Sequence, residues 1–104
     1  MADEPVRYRV LFPDVCREQL REIAREAARL DIGPEIKACL ELAEYRLKHE
    51  ANDWGESREY LSEMKLELRV GFARILTVFY ALDSDNRIVY LRRFRLHGGQ
   101  AGDL

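Results

Sequence analysis

The stretch ILTVFYALDSDNRIVYLRRFRL, residues 75–96, decides the fold. Residues 75–82 form an almost continuous apolar run, as expected for a central strand covered on much of both faces. Asp83, Ser84, Asp85, Asn86 and Arg87 are turn chemistry, and residues 88–96 supply the returning strand. Just upstream, Leu66, Leu68 and Val70 alternate with Lys65, Glu67 and Arg69, which predicts a half-buried strand that turns near Gly71. Three strands joined by short turns make a meander.

The N-terminal half supplies the partners of that meander. Val6, Tyr8, Val10 and Phe12 point one way and Arg7, Arg9 and Leu11 the other, so residues 6–12 read as a strand. Pro13 ends it, because proline donates no ladder hydrogen bond. Asp14 stands where an N-cap belongs. Over residues 15–30, Cys16, Leu20, Ile23, Ala24, Ala27 and Leu30 form one helical stripe. Arg17, Arg21, Arg25 and Arg29 form a second row, and the interleaved Glu18, Glu22 and Glu26 mark it as a solvated face. The segment Asp31-Ile-Gly-Pro34 breaks the helix: Gly33 permits the turn, and Pro34 suits the first helical position, where its missing N–H costs nothing. A second helix runs to about residue 50, with Ile36, Cys39, Leu40, Ala43 and Leu47 on one face. Residues 52–57 read as a loop with Trp54 as its packing anchor, followed by an irregular stretch to about residue 63.

The expected order is β-α-α-β-β-β. This is an α+β domain over residues 6–97, in which a helical hairpin packs on one face of a four-stranded, mostly antiparallel sheet. Residues 1–5 and 98–104 are read as tails, the second flexible.

A chain of 104 residues with 47% hydrophobic residues holds one core. No apolar run reaches the roughly 20 residues that span a bilayer, and the acidic N-terminus lacks a signal-peptide pattern. The expectation is a cytoplasmic protein with no membrane partner. Cys16 and Cys39 read as small core residues, and His49 and His97 lack spaced partners, so neither a metal site nor a cofactor is expected. The net charge of −2 is uneven: residues 1–63 carry a balance of −5 and residues 64–104 one of +3. A local basic face is what phosphate contacts require.

Four motifs follow one another in this order: Trp54-Gly-Glu56; Leu68-Arg-Val-Gly71; Val78-Phe-Tyr-Ala-Leu-Asp83; and residues 88–95, ending in Arg92, Arg93, Phe94 and Arg95. With the element order, they resemble the RelE/ParE superfamily of bacterial toxins over residues 6–96. The resemblance implies a toxin-like component of a type II toxin–antitoxin module, neutralised by a cognate antitoxin protein. RelE-type members cut mRNA on the ribosome as metal-independent endoribonucleases, and ParE-type members poison DNA gyrase. The cleavage chemistry needs a base for the 2′-hydroxyl, cations on the phosphate and an acid for the leaving oxygen.

Carried over residue by residue, Lys65 matches the first of two strand lysines and Glu67 stands at the second. The family arginine falls on Arg74 when the match is anchored on Leu68-Arg69, and on Thr77 when it is anchored on Tyr80 to Asp83. Arg95 falls near the basic or histidine position of the last strand. The resemblance thus implies Arg74, Arg95, His97 and Glu67 as catalytic candidates, and Lys65, Arg69, Arg92 and Arg93 as RNA or phosphate contacts. Arginine holds phosphate but does not readily serve as a base, so the base falls to His97, Glu67 or Glu59. The alternative is a non-catalytic interaction module on the same fold.

Overall fold

The computed structural model describes residues 7–96; Val6, His97 and both tails lie outside the described residues. The apolar run becomes β4 (Leu76–Asp83), the middle of a sheet that pairs with β3 (Leu66–Ala73) on one side and β5 (Ile88–Leu96) on the other, both antiparallel. Beyond β5 lies β1 (Arg9–Leu11), which runs parallel to it. Two helices, α1 (Asp14–Arg29) and α2 (Gly33–His49), carry the chain from β1 to the opposite edge of the sheet, so β1 and its parallel neighbour β5 are separated in sequence by both helices and the other strands.

Among the described residues the sheet has five strands, not four. Residues expected to be irregular form β2 (Glu56–Leu61), an edge strand antiparallel to β3. Its alternation is hidden for two physical reasons. Glu56 through Tyr60 are all exposed, so no apolar face marks a period. A β-bulge between Ser57 and Glu59 also shifts the phase.

Three local expectations change as well. Pro13, not Asp14, occupies the N-cap, and Asp14 sits inside the first turn of α1. The left-handed residue between the helices is Asp31, at φ 59°, whereas Gly33 is already helical. The third change concerns Gly71, which does not turn the chain. The strand passes through it to Ala73, and the reversal is made by Arg74, at φ 58°, with Ile75.

Gly71 is small for another reason. A β-carbon there would lie 2.5 Å from the Trp54 ring, and one on Gly55 (φ 72°) would lie 1.9 Å from the Val70 carbonyl oxygen. The Trp54-Gly55 loop therefore lies flat on β3, and both glycines are required for that approach.

Both helices cover the same sheet face. Ile23 and Ala27 of α1, and Ile36, Cys39, Ala43 and Leu47 of α2, pack with Leu76, Val78, Tyr80 and Leu82 of β4 and Val89, Leu91 and Phe94 of β5. Cys16 and Cys39 are free and buried, and burial pushes the Cys16 thiol up, away from the reactive thiolate. The arginine row on α1 is paired along the helix, Arg21 with Glu18, Arg25 with Glu22 and Arg29 with Glu26, all in solvent. Among the described residues no helix is long and apolar enough to cross a membrane.

Candidate nucleic-acid interface

Strand register sorts the chemistry-bearing residues onto two faces. Partners directly across a ladder share a face. Arg69 is opposite Tyr80, and Glu67 is opposite Leu82, so both lie on the helix side of the sheet. Arg69, implied as a phosphate contact, is 7% exposed. Its Nη2 donates to the Trp54 carbonyl at 2.9 Å and its Nη1 to the Glu67 carboxylate at 2.9 Å, while its Nε reaches the Tyr80 hydroxyl at 3.3 Å. The Tyr80 hydroxyl in turn donates toward the carbonyls of Ala51 at 2.7 Å and Trp54 at 3.1 Å, and the Trp54 and Tyr80 rings stack at 6.0 Å. This network ties the α2–β2 connection to the sheet. Glu67 and Arg69 thus neutralise each other beside the core.

Burial raises the Tyr80 hydroxyl above its ordinary value of 10.0, with Arg69 offsetting part of the shift. Tyr8 is raised too, by burial and then by Asp53. A folded value above the unfolded one means that stability is complete below about pH 10 and is lost as pH rises through the folded value. The thermal midpoint is therefore expected to fall on the alkaline side of pH ~10, and to fall less steeply in Tyr80→Phe. An identical alkaline slope in the two proteins would contradict this assignment.

Among the described residues the opposite face carries no helix. Across it, Phe72, Thr77 and Arg95 form one cross-strand row, and Val70, Phe79 and Arg93 form the next. These rows line a groove of about 480 Å³ with Leu68, Arg58 and Arg92; Arg69 also borders it, with its guanidinium held by Glu67 and the Trp54 carbonyl. Two bulges shape it. Arg92 is the extra residue of β5, between Leu91 opposite Tyr80 and Arg93 opposite Phe79. Arg58 is the extra residue of β2, between Ser57 opposite Arg69 and Glu59 opposite Leu68. In a regular strand Arg92 and Arg93 would point to opposite faces; the bulge lets both line the groove.

The groove's electrostatics contrast with the rest of the surface. Every arginine on the two helices has a carboxylate partner. Arg92, Arg93 and Arg95 have no ion pair among the described residues. Arg58 is held by Glu56 at 3.3 Å. The Arg93 guanidinium lies 4.1 Å from the centre of the Phe79 ring, which fixes its plane without neutralising it. Such an arrangement offers flat, forked donors to phosphate oxygens over an apolar floor.

The other candidates are scattered. Thr77, not Arg74, shares the open face with Arg95; Arg74 is in the β3–β4 turn. Lys65 sits in the β2–β3 turn at φ 55°. His97 lies outside the described residues. Of the three bases considered, Glu59 shares the open face, opposite Leu68. The implied set of Arg74, Arg95, His97 and Glu67 is therefore not brought together. Among the described residues no three His, Cys, Asp or Glu side chains are placed to hold a metal ion.

Arg58, Phe72 and Phe79 were not singled out from the sequence. The available signal was Ser-Arg-Glu-Tyr-Leu at residues 57–61, a strand-compatible run ahead of the meander. A second concavity, about 380 Å³, opens between the helices and β1; Val10, Phe12, Leu20, Leu40 and Leu47 line it, and Glu44 and Lys48, also lining it, pair at 2.8 Å. It is apolar and gathers no unpaired charge. Compared with known proteins, the chain matches no family model, no curated protein and no solved structure.

Proposed function

We propose that this protein binds RNA through the arginine-lined open face of its sheet, as a toxin-like component of a type II toxin–antitoxin module. The observation that supports the reading is the set of three β5 arginines without ion-pair partners among the described residues, gathered by a bulge on one face. Binding and cleavage separate at the base. Glu59, on β2, is the carboxylate candidate that shares the open face with Arg93 and Arg95, three strands away on β5; cleavage by this chain would pass the 2′-hydroxyl proton to Glu59 as the 2′-oxygen bonds to phosphorus, and the leaving 5′ oxygen would take its proton from water. The Glu67–Arg69 pair favours the second reading, a non-catalytic RNA-binding module, because it withdraws one candidate base and one candidate phosphate contact from that face.

Expression of the chain alone tests the proposal. Growth arrest with shortened mRNA is expected of the toxin-like reading, with Glu59→Gln slowing cleavage by about 10²–10⁴-fold. Arrest with intact mRNA and damaged DNA points instead to gyrase. RNA binding without arrest leaves the non-catalytic module, and the absence of both arrest and RNA binding contradicts the proposal.

A further inference from the structure

We infer that Phe72 is a stacking platform for one unpaired nucleobase, so that the groove takes single-stranded rather than duplex RNA. The inference rests on the RNA-binding reading above and assigns a specificity residue to it. Phe72 is 45% exposed, although it stands on the open face in the same cross-strand row as Arg95. Among the described residues the other large exposed apolar side chains, Val15, Leu30, Tyr45, Tyr60 and Met64, do not line the groove. Isolated exposed apolar groups are ordinary, but an aromatic ring lining one groove with cations that have no ion-pair partner among the described residues combines the two elements of single-strand recognition.

The two phenylalanines of the floor differ in a way that matters. Phe79 is half-buried under the Arg93 guanidinium, so its outer surface is already used. Phe72 has no such cover among the described residues. Arg93 and Arg95 are two residues apart on one strand face, a separation of about 7 Å. That is comparable with one step between phosphates of an extended single strand. A base attached between two phosphates so held has Phe72 within the same row. In a duplex, base faces are covered by their neighbours, and the ring gains nothing.

The test compares two probes of equal length, a labelled oligoadenylate RNA and its abasic counterpart, titrated against the full chain. Oligoadenylate is expected to bind more tightly. Phe72→Leu, which keeps apolar bulk and loses the ring, should weaken oligoadenylate binding by about 5- to 150-fold, the range for one stacked base. It should leave the abasic probe unchanged, and Phe72→Tyr should retain wild-type affinity. Equal affinity for the two probes, or an unaffected Phe72→Leu, overturns the inference while the phosphate-binding face stands. Polyglutamate binding as tightly as oligoadenylate overturns it in favour of an acidic protein partner. Failure of both RNA probes to bind overturns the RNA-binding reading and this inference together.

Discussion

Arg69→Ala is expected to lower the unfolding free energy by about 3 kcal/mol, the lower end of the range of roughly 3–5 for breaking a buried ion pair. The loss has three sources. Glu67 would keep a charge without its cation, the Trp54 carbonyl would lose its guanidinium donor, and the space beneath the loop would be left partly empty. The lower end applies because the Glu67 side chain is 25% exposed and water can solvate part of its charge. Tyr80 still donates to Ala51 and Trp54, so the α2–β2 connection loosens without detaching. Urea denaturation of wild type and variant measures the difference. Because Arg69 faces the helices, RNA affinity of the folded variant should change little, unlike that of a phosphate contact. A stable Arg69→Ala with lost RNA binding would place this residue on the wrong side of the sheet.

The second large effect is the converse. Arg93→Ala combined with Arg95→Ala should leave the fold intact and weaken RNA binding by roughly 10- to 100-fold. Two buried charge-assisted hydrogen bonds would give more, but both guanidiniums face water and are screened. Neither arginine has an ion-pair partner to strand among the described residues, which is why stability is expected to hold. The loss of the Arg93–Phe79 contact costs on the order of 0.5–1 kcal/mol at an exposed site. Arg21→Ala is the control: its charge is already matched by Glu18, so RNA affinity should not respond.

Strand parity and helical stripes carried much of the fold. The apolar run at residues 75–82 dictates the centre of the sheet, and the Asp83–Asn86 contacts close the turn that follows. What parity could not show was every place where the chain departs from period two. Arg92 and Arg58 sit at bulges, and a bulge moves each side chain beyond it to the other face relative to a simple count. Gly71 resembled a turn residue because glycine has two uses, and its use here is to admit the Trp54 ring. For the site, motif alignment placed Arg69 and Glu67 beside the basic residues in sequence, whereas register places them on the opposite side of the sheet. The arginines of β5 were legible as a basic strand; their convergence on an apolar floor required the strand order.

The salt dependence of RNA binding tests the open-face account most directly. For a single strand, log K falls with log salt at a slope of about −0.7 per phosphate contact. The account predicts that Arg93→Ala with Arg95→Ala makes the slope shallower by about 1.4, while Arg69→Ala leaves it as in wild type. Equal slopes for wild type and the double variant would contradict it.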